Sequence, residues 1–275
     1  MISRSETQAT GGELGRLLRH WRSLRGKSQN ELSLDTEISQ RHLSFIESGR
    51  SSPSRQALVT VAEALDIPLR ERNQLFLAAG FAPMYVDDAW NAGEMAAVTR
   101  ALARVLQQHE PFPAMVMDRY WNVLMTNDAA PRFFNAFVDL ATRPTPRNML
   151  HLMFDPAGMR PHLANWKSTS KSLMERVRRE AVGQVLDERT HELIDELLAY
   201  PDVVESNTTP ADEPSLPVIP LSFIKNGRAL NYFSMVSTVG TPLTIAAQEL
   251  RVECLFPMDE ATETLHMELM AAANA

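Results

Sequence analysis

Residues Ser28–Ser54 read SQNELSLDTEISQRHLSFIESGRSSPS, two short helices meeting at a tight corner and closed by a glycine. Ser28 and Glu31 form an S-x-x-E capping box, in which hydroxyl and carboxylate take up N–H groups that a helix start leaves unpaired. The helix they open, Gln29 to about Leu34, is too short to persist alone. Ser39 is the N-cap of a second helix, with Ile38 and Leu43 at the N′ and N4 positions of a hydrophobic staple. Gly49 stands where a left-handed residue ends it. Leu43 and Ile46 share its inward face, which turns Gln40, Arg41, Ser44 and, less comfortably, Phe45 elsewhere. Side chains able to make two-pronged hydrogen bonds on the first turn of a helix are what reading base edges requires.

Gln29, Ser33, Ile38-Ser39, Leu43, Ile46-Glu47-x-Gly49, Pro53 and Ala62-x-x-Leu65 together resemble the helix-turn-helix of phage repressors, of Cro/C1 or Xre type. Two positions depart from that pattern: Ser33 stands where Ala is typical, and Glu37 where the turn usually has Gly. The resemblance implies that Gln29 abuts a phosphate while Gln40 and Arg41 reach base edges; Arg prefers guanine and Gln adenine. Phe45 could meet a thymine methyl, and Ser28 and Arg50 would hold the DNA backbone at either end. The expected DNA surface is therefore Ser28, Gln29, Ser39, Gln40, Arg41, Ser44, Phe45 and Arg50. The plainer alternative is a set of exposed polar residues on a solvated bundle.

A chain of 275 residues holds one large or two ordinary domains. Its 44% hydrophobic and 22% charged residues are those of a soluble globular protein rather than a disordered one. No run approaches the length of a membrane span, and MISRSETQATGG is too polar for a signal peptide. One cysteine permits neither an intrachain disulfide nor a Cys-based metal cluster, so the cytoplasm is the expected setting. The net charge of −7 speaks against nucleic acid until it is divided. Residues 1–80 carry 11 Lys+Arg against 9 Asp+Glu, and residues 81–275 carry 16 against 25. Arg16, Arg19, Arg22, Arg25, Lys27, Arg41 and Arg50 lie in or near the DNA-facing half, and the acidic remainder repels DNA elsewhere.

Along the chain, 1–12 is expected to be a disordered tail. Leu14, Leu17, Leu18, Trp21 and Leu24 then recur at helical spacing up to Gly26. Beyond the helix-turn-helix, a fourth helix carries Leu58, Val61, Ala62 and Leu65, and a fifth runs from Leu69 to Ala79. Phe81–Gly93 reads as a connector and Glu94–Gln108 as an amphipathic helix, either a short dimer seam or, more simply, a cover for its own domain.

From Pro111 the texture changes to strands. Ala114–Asp118 and Trp121–Thr126 read as a hairpin joined through Arg119-Tyr120, and Asn127-Asp128 cap a helix holding Phe133, Phe134 and Phe137. Ser168–Tyr200 reads as two helices broken near Gly183, and Pro201–Pro217 as a long loop. Val218–Lys225 and Ala229–Val239 flank Asn226-Gly227, the strongest short hairpin signal. Leu250–Phe256 is a further strand with Leu250, Val252, Cys254 and Phe256 on one face, and Asp259–Met270 a closing helix. Two strands, helices, then three strands is the order of a PAS-like sheet.

Asp118-Arg-Tyr-Trp121, Asn127-Asp-Ala-Ala130, Asn148-Met149-Leu150, Phe154-Asp155-Pro156, Trp166 and the ending from Gly240-Thr-Pro-Leu through Phe256-Pro-Met-Asp-Glu-Ala resemble the ligand-binding domain of MmyB-like regulators. That resemblance implies a cavity between sheet and helices that takes a fatty-acid-like ligand. Candidate lining is Val116, Trp121, Val123, Met125, Phe133, Phe137, Phe154, Phe223, Phe233, Met235 and Cys254, each of which could equally be ordinary core. Fourteen methionines suit an adaptable apolar pocket. Cys254 is expected to be inward and inert. The seven histidines follow no metal-ligand spacing. G-x-S-x-G, P-loop and G-x-G-x-x-G patterns do not occur.

The sequence thus specifies an all-α N-terminal bundle of about five helices (13–80), a connector and linker helix (81–110) and an α+β PAS-like domain with a five-stranded antiparallel sheet (111–270). The expected function is a non-enzymatic, sequence-specific transcriptional regulator that binds double-stranded DNA as a homodimer and senses a small apolar ligand. No cofactor, metal or membrane partner is expected. The alternative is a DNA-binding regulator whose C-terminal domain is a ligand-free dimerisation or protein-interaction module.

Overall fold

Five helices build the first unit in the computed structural model: α1 (Arg4–Leu24), α2 (Gln29–Thr36), α3 (Gln40–Glu47), α4 (Arg55–Ala64) and α5 (Leu69–Ala78). The structure describes residues 4–180, 187–203, 218 and 220–272. By contacts the chain forms two units, 1–89 with 241–248, and 90–240 with 249–275. The helix read from Glu13 thus begins upstream, at Arg4. The core of the first unit is drawn from all five helices, with Leu14, Leu18, Trp21, Leu32, Leu43, Ile46, Leu58, Val61, Leu75 and Phe76 buried.

Local chemistry sets the helix ends. Four C-termini close with the paired bonds of a Schellman turn, C″ N–H to the C3 carbonyl and C′ N–H to the C2 carbonyl. At α3 these are Arg50 N to Phe45 O at 2.8 Å and Gly49 N to Ile46 O at 3.0 Å. Gly26, Gly49 and Gly80 supply the left-handed residue, and Asp66 does so at α4 with φ 46°. Pro68 offers α5 no side-chain cap. Gln248, at the end of the returning 241–248 segment, takes that place by accepting from Leu69 N at 2.8 Å.

In the second unit α6 (Ala96–Gln108) precedes β1 (Ala114–Met117) and β2 (Val123–Thr126). Helices α7 (Ala129–Asn135), α8 (Met149–Phe154), α9 (Trp166–Glu180) and α10 (Glu188–Leu198) follow. Then come β3 (Leu221–Lys225), β4 (Arg228–Thr238), β5 (Arg251–Pro257) and α12 (Glu260–Ala272), while α11 (Ile245–Glu249), between β4 and β5, lies almost wholly in the 241–248 segment that belongs to the first unit. The five strands form one antiparallel sheet in the order β2-β1-β5-β4-β3. Asn226 (φ 51°) and Gly227 (φ 75°) make the β3–β4 turn with two left-handed residues, as a two-residue hairpin demands. The break expected near Gly183 and most of the loop expected at Pro201–Pro217 lie outside the described residues.

One face of the sheet carries Met115, Met117, Phe223, Leu230, Tyr232 and Leu255 into the main core, where they meet Phe133, Phe134, Leu150 and Phe154. His266 of α12 is fully buried there. Its Nε2 lies 2.9 Å from the Pro111 carbonyl, which can only accept, so that nitrogen carries the proton and Nδ1 accepts from the Tyr232 hydroxyl at 2.8 Å. Burial holds the His266 pKa below the usual histidine range. The unfolded chain therefore binds a proton near pH 6.5 that the folded chain refuses, and stability falls as pH drops through that value. Urea unfolding midpoints at pH 7.5 and 5.5 should show this loss, and His266→Gln should flatten the slope.

Candidate functional site

The first candidate site is the exposed face of α3, and its position is set by three contacts behind it. Glu47, on the last turn of α3, is 5% exposed. It receives Arg22 of α1 through both carboxylate oxygens, Nε to Oε1 at 2.7 Å and Nη2 to Oε2 at 3.0 Å. The amide of Gln29 on α2 donates to the same carboxylate at 2.8 Å. The Glu47 hydrogen bond raises the Arg22 pKa further above its ordinary value. A buried charge stripped of its partner is costly, so this clamp fixes α3 against α1 and α2. Gly15 completes it: a Cβ there would stand 2.2 Å from the Glu47 carbonyl oxygen, so α1 and α3 touch backbone to backbone.

The turn between α2 and α3 keeps the geometry a glycine would give. Glu37 adopts φ 56°, ψ 13°, at a cost of about 1 kcal/mol for a residue with a Cβ. The capping box is complete, with Glu31 N to Ser28 Oγ at 3.1 Å and Ser28 N to Glu31 Oε2 at 2.7 Å. Ser39 Oγ accepts from His42 N at 3.3 Å.

These contacts leave Gln40 and Arg41 exposed on the first turn of α3, with Ser44 and Phe45 half-buried beside them. Arg41 and Arg50 both lie against the Phe45 ring, their guanidinium carbons 5.4 and 5.9 Å from its centroid. Ser28, Ser39 and Arg50 are exposed at the margins. Gln29 is placed differently from the expectation, half-buried with its amide turned inward to Glu47. Of the basic residues assigned to this half, Arg22 is held by Glu47, Arg25 by the carbonyls of Leu65 and Asp66, and Lys27 by Asp35 and the Ala64 carbonyl.

The second candidate site is in the α+β unit. Trp121, Phe133, Phe154 and Phe223 lie in its core, with Val123 and Phe137 packed against them. Val116, Met125, Phe233, Met235 and Cys254 do not join them. Register pairs Val116 with Val252 and Met125, Met235 with Cys254, and Phe233 with Phe256, all on the opposite face of the sheet. There α6 packs over β1 and β2, Phe233 stacks on Phe256 at 5.4 Å, and Met235 is 56% exposed. Cys254 is half-buried on this outer face, a correction to its expected inward position, and burial raises its pKa.

The inward residues of β5 are instead Arg251, Glu253 and Leu255. Arg176 of α9 bridges Glu253 through two bonds of 2.8 and 3.0 Å, holds Glu180 at 2.6 Å and lies 4.5 Å from the Trp121 ring centroid. Burial opposes the Arg176 charge, but Glu253 and Glu180 outweigh it and raise the pKa. Arg119 pairs with Asp187 at 3.0 Å and Glu249 at 2.9 Å. Tyr120 donates to Asp187 at 2.8 Å, and its pKa is pushed up to about 12 by burial and that bond.

An inner cavity between sheet and helices, bounded by Met115, Trp121, Phe134, Met149, Leu173 and Leu255, holds only about 30 Å³. An outer groove of about 620 Å³ lies among Tyr120, the 143–148 segment, α8 and α10. Small-molecule sites are usually about 300–1,000 Å³, so the outer groove falls in that class and the inner cavity holds no more than a water. Sequence reasoning missed the groove because its lining is gathered from separate segments and carries no periodic signal.

Compared with known proteins, residues 98–269 match the model of the MmyB-like transcription regulator ligand binding domain, and residues 13–75 match that of a helix-turn-helix domain. Among curated proteins, none matches the chain. No helix among the described residues is long and apolar enough to cross a membrane.

Gly15→Ala should lower stability by about 1–3 kcal/mol, the cost of forcing two backbones apart, although alanine is the better helix former. Urea denaturation followed by far-UV circular dichroism measures it, and an unchanged midpoint would contradict the close crossing of α1 and α3.

Proposed function

We propose, for a chain that belongs to the MmyB-like transcription regulators, that the first unit reads its operator in the manner of Cro/C1 or Xre repressors, with α3 in the major groove. The protein is a DNA-binding transcription regulator with a ligand-binding domain. Exposure of Gln40 and Arg41 on a helix locked from behind by Glu47 is the observation that carries the reading. Gln40 and Arg41 contact base edges, and Ser44 and Phe45 line the same surface. Ser28, Ser39 and Arg50 flank it at the DNA backbone. Binding as a homodimer on a pseudo-palindrome follows from the usual geometry of such readers. The protein works without enzymatic activity, in the cytoplasm.

The ligand of the second unit is a fatty-acid-like amphiphile, which shifts the regulator only by binding one of its arrangements more tightly than the other. Of the residues in the sequence reading, Trp121 and Phe223 line the inner cavity and stand nearest to such a guest, with Val123, Phe133, Phe137 and Phe154 packed in the core around it. A second reading, a ligand-free interaction module, is favoured by the small inner cavity. Native mass spectrometry of the purified protein separates them: a co-purifying lipid mass supports the sensor, an empty protein the module.

Arg41→Ala should relax preference at one base position and cost about 1–3 kcal/mol there. Selection from a random DNA pool, followed by competition binding, measures this. An equal loss on every sequence would make Arg41 a phosphate contact instead.

A further inference from the structure

The two cavities lie on opposite faces of one short helix. Asn148, His151, Leu152 and Asp155 line the outer groove, whereas Met149, Leu150 and Met153 line the inner cavity. Six residues of helix have little stability of their own, so α8 depends on the packing of Leu150 and Phe154 in the core and on its polar anchors. Asn148 accepts from the N–H groups of Leu150 and His151 and donates to the Tyr120 carbonyl at 2.7 Å. His151 lies 3.1 Å from both the Tyr200 hydroxyl and Glu196.

The charges of the two cavities differ in a way that orients a guest. In the groove, Arg143 is paired with Asp155, and His151 with Glu196. Arg147, Arg189 and Glu192 complete a charged lining of three arginines and three carboxylates, in which neither Arg147 nor Arg189 is bridged to a carboxylate among the described residues. Arg147 donates to the Leu140 carbonyl through Nε and Nη2 at 3.3 and 3.1 Å. The Arg189 guanidinium carbon lies 4.3 Å from the Tyr120 ring centroid, and a guanidinium stacked on a ring keeps donors for a carboxylate. The inner cavity is otherwise apolar, and its one charged lining residue is Glu253, already bridged to Arg176. A second carboxylate there would meet a like charge in a low-dielectric site.

We propose that the groove between α8 and α10 seats the ligand's anionic head on Arg147 and Arg189, and that α8 is the partition its apolar tail displaces to reach the inner cavity. This rests on the ligand-sensing reading above and assigns it a place and a polarity. Neither arginine is part of the core, and both Arg147 and Arg189 are exposed.

Isothermal titration of the full chain with decanoate, and with decanol as the uncharged control, tests the assignment. Wild type should bind decanoate more tightly than decanol. The double variant Arg147→Gln/Arg189→Gln should weaken decanoate about tenfold or more and leave decanol unchanged, because only the acid forms charge-assisted bonds. Met153→Trp, which fills the inner cavity, should weaken both. Decanoate binding that survives the double variant but not Met153→Trp would overturn the head-group site while leaving ligand sensing intact. If wild type bound neither probe, the sensing reading would fall and this assignment with it.

Discussion

The buried carboxylate of Glu47 is the constraint on which the reading head depends. It gathers a guanidinium from α1 and an amide from α2 onto the last turn of α3. Such a pair need not add net stability over an apolar replacement, because both charges must be desolvated. Its directionality is what matters here. Two fixed nitrogens meet two fixed oxygens, and Gly15 lets the backbones close to contact. The outward face of α3 is thereby set by groups packed behind it, with the Glu47 carboxylate buried among them.

The α+β unit uses buried charge in the same way, on a larger scale. Arg119, Arg176 and Arg251 enter the space behind the sheet with Glu180, Asp187, Glu249 and Glu253 as partners. Burial lowers the Arg251 pKa, partly offset by Glu180. These ion pairs tie α9 to β5, and Asp187, the N-cap of α10, to β1's following turn. One consequence is that the apolar interior left between sheet and helices is small, and the roomy site lies outside it, across α8. A ligand domain built this way has a closed interior and an open vestibule, with a six-residue helix between them.

The sequence by itself determined the elements whose causes are local. The capping box at Ser28, the N-cap at Ser39, the glycine stop at Gly49 and the Asn226-Gly227 turn each involve residues within a few positions of one another, so spacing alone specifies them. The helix count of the N-terminal bundle, the strand count and the exposed Gln40 and Arg41 follow from such signals together with apolar periodicity. Only the tertiary structure decided which face of β5 is inward. Alternation was legible in Leu250, Val252, Cys254 and Phe256, but alternation does not say which side meets the core. The rule that apolar means buried fails where Arg251 and Glu253 are neutralised by partners some seventy residues away. The turn of Gln29 toward Glu47, the requirement for Gly15 and the groove beside α8 were hidden for the same reason. Each arises where residues distant in the chain meet, and no local period records such a meeting.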